Sequence, residues 1–308
     1  MDIRAALKQG IAQLREAAVP SFTLAAELLL LATLGRNRTW LYAHPEELLS
    51  DDQAQCFFAL LARRAAGEPT QHLTGKQEFW GLEFEVTPDV LIPRPETEHV
   101  IEVALDRLAL RELRAGRPQK TDGAGLRVVD IGTGSGCLAV ALAKELPKGH
   151  FYATDISPAA LAVAQRNAQR HGVAGRIHFL ESNFLDALTS PPAMGHSPRS
   201  FDLIVSNPPY VGRREAASLP REVRDHEPAL ALYGGEQGYE LYAELVREAG
   251  QHLKPGGLLV LELGHNSLGA VRPLLEPQDW TAVGATSDLA GIPRVLAARR
   301  EPTAVSED

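Results

Sequence analysis

The sequence predicts an α/β fold, a mostly parallel sheet covered by helices on both faces, preceded by a small all-helical N-terminal domain. Three observations carry that prediction. Residues 1–75 show only helical apolar spacing and helix-cap residues. From Leu126 onward, short apolar runs alternate with helical stretches, the pattern of βαβ units. The first of those runs ends in three alternating glycines, Gly132, Gly134 and Gly136, directly before a helical stretch. A chain of 308 residues has room for one or two domains.

Taken in order, Ile3, Leu7, Ile11 and Leu14 recur at helical spacing and make the first helix amphipathic. Ser21 is the expected cap of the apolar run after Pro20, and Gly35 its stop. Ser50 or Asp51 caps the next helix, which runs to about Ala66 and is ended by Gly67 and Pro69. Arg63-Arg64 reads as a solvated helix end. Residues 76–92 form a separate hairpin or extended linker, because Phe79, Leu82, Phe84 and Val86 alternate around Gly81. Trp80 and Phe79 read as packing between that linker and the larger domain. The larger domain is expected over residues 93–300. It opens with a helix over 96–114 and a Gly/Pro-rich loop over 115–125. Strands follow over 126–131, 150–155, 176–181, 201–206 and 258–263. Helices are expected over 136–146, 158–171, 239–252 and 267–275, with a Pro-rich loop over 190–200 and two closing strands. Residues 301–308 read as a disordered tail.

Composition narrows the function classes. Apolar residues make up 44% of the chain and charged residues 23%, which excludes a disordered chain, a collagen-like fibre and a coiled coil. Cys56 and Cys137 are the two cysteines and form no CxxC pair, so neither a disulfide framework nor a structural zinc is expected and a reducing cytoplasm fits. The ten histidines form no HxxxH or HExxH pattern, and no metal site is expected. A net charge of −8 argues against coating nucleic acid. The apolar run from Leu24 to Leu34 contains Glu27 and is shorter than the roughly 20 residues a membrane span needs. The first residues hold no apolar signal core.

Two motifs carry chemistry. The first is Asp130-Ile131-Gly132-Thr133-Gly134-Ser135-Gly136. Glycines there let the backbone approach a ligand closely, and a following helix offers N–H groups. Asp155, at the end of the second strand, can accept hydrogen bonds from both hydroxyls of a ribose. A structural acid at a helix start, before Ser157-Pro158, is the alternative reading of Asp155. The glycine loop also fits the G-x-G-x-x-[GA] form of NAD sites through Gly134, Gly136 and Ala139. Ribose is common to NAD and S-adenosylmethionine (AdoMet), so this loop leaves both open.

The second motif is Asn207-Pro208-Pro209-Tyr210, placed after a strand, where open α/β sheets bind ligands. The prolines stiffen the backbone and remove two N–H donors. Asn207 Oδ1 and the Pro208 carbonyl would then make a rigid acceptor pair for a planar –NH2 group, with Tyr210 as a flat face beside it. Such a pair would direct the nitrogen lone pair at an electrophilic methyl, so positioning does most of the work. A plain Pro-rich turn is the alternative reading.

Together these residues resemble class I AdoMet-dependent N-methyltransferases with a Rossmann-like domain. The segment Leu91-Ile92-Pro93-Arg94-Pro95-Glu96-Thr97-Glu98 narrows the resemblance. Arg166-Asn167-Ala168, His226-Glu227-Pro228-Ala229-Leu230 and the helical N-terminal domain add to it. The chain is similar over nearly its whole length to the PrmC/HemK family, the release factor glutamine methyltransferases. The resemblance implies N5-methylation of the glutamine in the Gly-Gly-Gln motif of peptide chain release factors, with AdoMet as donor and S-adenosyl-L-homocysteine as product. It implies that Gly132, Thr133, Gly134, Ser135 and Gly136 cradle the methionine end of AdoMet, that Asp155 holds the ribose and that Asn183 and Phe184 flank the adenine. Asn207 would contact both cofactor and substrate, with Pro208, Pro209 and Tyr210 completing the catalytic tetrad. Arg94 and Thr97 either cap the helix after Pro95 or line the cofactor pocket. Pro293 departs from the family pattern, since a polar residue is expected there.

The competing reading is a nucleic-acid adenine or guanine N-methyltransferase. Seven basic and eight acidic residues in 1–75 disfavour a nucleic-acid arm. A monomer is expected, with release factors as protein substrate, no stable nucleic-acid binding and no membrane. The helical domain would be the docking surface for the substrate protein.

Overall fold

The computed structural model describes residues 1–114, 122–188 and 201–301. Most of the Gly/Pro-rich loop expected over 115–125, the Pro-rich loop over 190–200 and the tail beyond Glu301 lie outside the described residues. The chain divides into two compact units. One comprises Met1–Lys76, Val86–Pro88 and Leu219–Glu227; the other holds Gln77–Glu85, Asp89–Ser218 and the chain from Pro228 onward.

The smaller unit is helical. Asp2 caps α1 (Ile3–Glu16), accepting the Ala5 N–H at 2.7 Å. Helix α2 (Phe22–Leu34) ends at Gly35 in the left-handed region, as expected. Its start differs from expectation. Ser21 itself sits at φ 50° and its side chain makes no cap bond. The tight turn through Ala18 puts Ser21 in the left-handed region, and only its carbonyl serves the helix, accepting Ala25 N–H. Helix α3 (Arg38–Ala43) is capped by Asn37. For α4 (Asp51–Ala65) the cap is Ser50, in a reciprocal capping box with Gln53. Helix α5 (Thr70–Thr74) closes the domain. Ile3, Leu14, Leu29, Leu30, Leu41, Phe57 and Leu61 form its core.

Arg64 corrects the solvated-end reading. It is only 5% exposed and pairs with Glu222 at 2.6 Å, while Arg63 stays at the surface. Glu222 belongs to α9 (Arg221–His226), a helix contributed from far along the chain and absent from the sequence expectation.

A hairpin follows, β1 (Lys76–Phe79) and β2 (Leu82–Glu85), which belongs to the larger unit from Gln77 onward. Trp80 and Gly81 have φ of 54° and 67°, the two left-handed residues of a tight hairpin turn. Phe79 is buried in the core and Trp80 Nε1 donates to Glu145, so both are packing residues. After a 3₁₀ turn at Pro95–Thr97 come α6 (Glu98–Arg114), β3 (Arg127–Ile131), α7 (Cys137–Glu145), β4 (His150–Asp155), α8 (Pro158–Arg170), β5 (Ile177–Glu181) and β6 (Phe201–Ser206). Then follow β7 (Val211–Gly212), α10 (Ala229–Leu232), β8 (Tyr233–Gly235), α11 (Glu240–His252), β9 (Leu253–Glu262), α12 (Leu268–Val271), β10 (Trp280–Ser287) and β11 (Pro293–Arg300).

Seven strands form one sheet in the order β10-β11-β9-β6-β3-β4-β5. Strand β11 runs antiparallel to both neighbours and the remaining pairings are parallel. Pro293 opens β11, a position where a missing N–H is tolerated. Both faces are covered, which is why the strands read as unbroken apolar runs. Val128 and Val129, adjacent in β3, enter opposite core clusters, one with α7 and the other with α11. The chain winds from β3 toward β5, then returns to β6 on the other side of β3. Ligands bind at the carboxyl ends of strands where the winding reverses. The glycine loop follows β3 and the tetrad follows β6, so both lie at that point.

Candidate active site

One cavity at this switch point is lined by Gly132, Thr133, Gly134, Ser135, Asp155, Asn183, Phe184, Asn207, Pro208 and Pro209. Two residues expected in the site, Gly136 and Tyr210, are not on its wall.

The glycine loop is held from below. Asp130 is 1% exposed and its Oδ2 accepts the Thr133 hydroxyl at 2.6 Å and the Ala139 N–H at 3.2 Å. Its Oδ1 has no partner among the described residues. Burial pushes the Asp130 carboxyl up to about 7. Gly132 and Thr133 N–H both donate to the Thr154 carbonyl at 2.9 Å, Gly134 N–H to Asp155 Oδ2 at 2.9 Å and Gly136 N–H to the Thr133 carbonyl at 2.8 Å. The loop therefore spends these four N–H groups on its own shape.

The glycines divide by role. A Cβ on Gly132 or Gly134 would meet no atom within 4 Å, so these positions leave open space. A Cβ on Gly136 would sit 3.0 Å from the Ala164 Cβ on α8. Its missing side chain serves helix packing and not the cavity. The same side of α8 carries Asn167, which donates to the Ser135 carbonyl and to Glu85 O, both at 2.9 Å. Glu85 N–H returns a bond to Asn167 Oδ1 at 2.7 Å. One buried amide thus ties the hairpin to the glycine loop.

Asp155 ends β4 on the cavity wall. Oδ2 takes Gly134 N–H and Oδ1 takes Ser157 N–H at 2.9 Å, yet burial still raises its pKa. Each carboxylate oxygen keeps a lone pair for a further donor. Beside it Ile156 is 51% exposed and lines the cavity, an apolar surface that the sequence reading missed. The adjacency to Asp155 was the available signal. Phe184 has φ 45°, a conformation rare for an aromatic residue.

At the end of β6, Asn207 Nδ2 donates to Thr97 Oγ1 at 3.1 Å. Its Oδ1 is buried without a partner among the described residues. A buried amide oxygen left unsatisfied costs roughly 1–3 kcal/mol, so this acceptor is a feature to explain. Thr97 lines the cavity too, which resolves its two readings toward the pocket. Tyr210 turns away from the wall. Its hydroxyl donates to Glu262 Oε1 at 3.1 Å, and burial beside that carboxyl drives the phenol pKa upward. The backbone around it is crowded: a Cβ on Gly234 would collide with the Pro209 carbonyl, so β8 can lie against the tetrad only with glycine there. Glu262 and Gly234 were not singled out in the sequence. They are brought to the tetrad by β9 and β8, from 52 and 24 residues away by number. Among the described residues, no group of three or more His, Cys, Asp or Glu could hold a metal.

Comparison with known proteins agrees with this geometry. Residues 5–75 match the model of the PrmC N-terminal domain, and residues 122–275 match a methyltransferase domain model. A release factor glutamine methyltransferase of Koribacter versatilis is 44% identical over 97% of this chain and 99% of its own length. One from Moorella thermoacetica is 42% identical, with 98% and 100% covered. Among solved structures, the hMettl16 catalytic domain in complex with MAT2A 3'UTR hairpin 1 aligns with a TM-score of 0.53 at 16% identity, covering 85% of this chain and 87% of that one. A methyltransferase from Pyrococcus furiosus aligns with a TM-score of 0.50 at 19% identity, covering 78% and 98%. At those identities the structural matches report the fold alone. The full-length relatives report more, and on them the chain belongs to the release factor glutamine methyltransferase family.

Proposed function

We propose that this chain transfers the methyl group of AdoMet to the side-chain amide nitrogen, N5, of the glutamine in the Gly-Gly-Gln motif of peptide chain release factors. The observation that carries the reading is Asn207 Oδ1, a buried acceptor without a partner among the described residues, at the end of β6 on the wall of the cavity. A primary amide –NH2 supplies the donor it lacks.

The residues on the wall fit AdoMet. Gly132 and Gly134 leave open the space a Cβ would fill, and Asp155 keeps acceptor capacity for ribose hydroxyls. Beneath the loop and off the wall, Asp130 Oδ1 is a second acceptor without a partner among the described residues. Ile156 and Phe184 offer apolar surface suited to an adenine. When bound, AdoMet supplies an electrophilic methyl on a sulfonium. The chain's part is to hold the amide. Asn207 Oδ1 and the Pro208 carbonyl accept its two N–H bonds and aim the nitrogen lone pair. The prolines keep competing N–H donors out of that position. No strong base is needed, because the nitrogen becomes acidic only as the new C–N bond forms.

The helical unit is the docking surface for the release factor, and a monomer in the cytoplasm is the working form. No helix among the described residues is long and apolar enough to cross a membrane. Purified protein incubated with radiolabelled AdoMet should label an intact release factor, and replacing the motif glutamine should abolish the label. Label on tRNA, rRNA or DNA but not on the factor would replace this reading with the nucleic-acid one.

A further inference from the structure

The first helix carries more apolar surface than its core uses. The buried residues of α1 are Ile3, Ala6, Gly10 and Leu14. Gly10 is small for a reason. A Cβ there would stand 2.9 Å from both Leu61 Cδ1 and Phe57 Cζ of α4, so the missing side chain lets α1 lie close on α4. The face that makes this contact is Ala6 and Gly10, and it leaves Leu7 and Ile11, one position further round, only half-buried. Those two side chains form one wall of a groove. The other wall is Leu41 and Tyr42 of α3, with Pro45 just beyond that helix. Tyr42 is exposed there.

The charge around the groove is of one sign. Arg4, Lys8 and Arg15 line it and no acidic residue does, in a chain whose net charge is −8. Positions 4, 8 and 15 run down α1 one step beside 3, 7 and 11, so a cationic stripe borders an apolar one. Arg4 reaches Glu46 at 3.5 Å, but both side chains are mostly exposed and such a pair contributes little. Arg15 lies with its guanidinium 4.9 Å from the centre of the Phe22 ring, a contact that leaves its charge in place. At ~1.5 Å per residue, the stretch from Ile3 to Arg15 is about 18 Å long, room for three turns of a second helix. A phosphate backbone would use the cations and leave the apolar floor unmatched. A helix with apolar residues on one face and carboxylates along its flank would use both.

We propose that this groove seats an acidic amphipathic helix of the release factor, with its apolar residues between Leu7, Ile11 and Tyr42 and its carboxylates facing Arg4, Lys8 and Arg15. The inference rests on the reading of a release factor as substrate, and it gives the docking role of the helical unit a place and a chemistry. A contact made here holds the factor equally before and during methyl transfer. It therefore acts on KM and not on kcat.

The test uses the full chain, an intact release factor and two independent readouts. Lys8→Glu and Ala12→Glu put a carboxylate on the groove wall at exposed positions. Each should raise KM for the intact factor by ~10-fold and leave kcat within ~2-fold of wild type. Lys8→Arg keeps the charge and should behave as wild type. So should Gln9→Glu, at an exposed position of α1 off the groove wall. Raising NaCl from about 0.05 M to about 0.5 M should raise the wild-type KM and narrow its gap to Lys8→Glu, because exposed charges are screened. By NMR, the backbone amides of Leu7, Lys8, Ile11 and Ala12 should shift when unlabelled release factor is added to the wild type. An unchanged KM in both Lys8→Glu and Ala12→Glu, while the wild type methylates the factor, overturns the groove and leaves the methyl-transfer reading in place. Amides unmoved by the factor overturn it as well, and if tRNA or an rRNA fragment moves them instead, the occupant is RNA. Should either reversal lower Tm, the NMR comparison on the wild type decides alone. If the factor moves the α1 amides and is not methylated, the substrate reading falls and the groove stands.

Discussion

Asn207 combines a satisfied donor with an orphaned acceptor in one amide. Removing the amide should leave the AdoMet side of the cavity intact and remove one preorganised partner of the reacting nitrogen. Asn207→Ala is therefore expected to lower kcat by ~100-fold or more, the scale of a lost polar partner in a preorganised site. The AdoMet dissociation constant should change much less. Near-normal turnover on release factor would rule out the amide clamp. Glu262 allows a second prediction at this scale. Burial, with Glu96 nearby, raises its carboxyl to about 7, against the opposing pull of Thr97, Tyr210 and Arg294. Ordinary carboxylates titrate near about 4, so the folded state holds a proton that the unfolded chain has released. The resulting stability is complete below about pH 4, shrinks as the pH climbs and is gone once the pH has passed about 7. Asp130 adds a contribution of the same sign. For the ligand-free chain, Glu262→Gln should make the fall in Tm between about pH 5 and pH 8 shallower than in wild type. An equal slope in both proteins would mean Glu262 stays ionised in the fold.

At the scale of elements, α7 and α8 meet through a residue without a side chain. Gly136 has φ 81°, and a Cβ there would stand 3.0 Å from the Ala164 Cβ and 3.1 Å from its Cα. Those atoms belong to a helix and cannot swing aside. Gly136→Ala should therefore destabilise the fold by about 1–3 kcal/mol through overpacking and the left-handed backbone, read as a lower denaturant midpoint. Gly134→Ala carries the backbone strain but no clash, and its larger effect should fall on AdoMet affinity. Equal stability loss in the two variants would argue against the packing role of Gly136. The sequence could not separate these glycines, because G-x-G-x-G states the need for positive φ and not which direction each Cβ would point. The same limit applied at Ser21, whose residue type suits an N-cap while the preceding turn denies it the geometry.

For the whole molecule, two measurements test the reading of each unit. AdoMet should raise Tm while NAD should not, since a ligand that binds only the folded state stabilises it. A shift with NAD alone would overturn the cofactor assignment. The helical unit leaves Leu48 72% and Tyr42 57% exposed, together with Leu24 and Leu28. A stable protein interface buries on the order of 1,200–2,000 Å², more than one loop glutamine offers. Leu48→Glu should lower kcat/KM toward the intact release factor and leave a short Gly-Gly-Gln peptide unaffected; equal effects on both, or none on either, would move the docking surface elsewhere. Deleting residues 1–75 would be a poorer test, because it would strip Leu219–Glu227 of the unit it packs with and leave Glu222 without Arg64.

That shared membership marks the boundary of what could be read in one dimension. The alternating strands, the glycine loop, Asp155 and the tetrad were legible because each depends on residue types a few positions apart: apolar runs for strands buried on both faces, glycine for positive φ, proline for a stiff turn. The helical unit was legible for the same reason, down to the stop at Gly35 and a cap at Ser50 or Asp51, of which the structure uses Ser50. Tertiary structure alone decided that α9 belongs with residues 1–76, that Arg64 is buried and that Gly136 packs on Ala164. It alone decided that Thr97 and Glu262 meet at Asn207 and Tyr210, from 110 and 52 residues away. No local pattern records such a meeting, because strand order in a parallel sheet is set by how crossover connections pack. Partners across the sheet are therefore set only when its strands have docked.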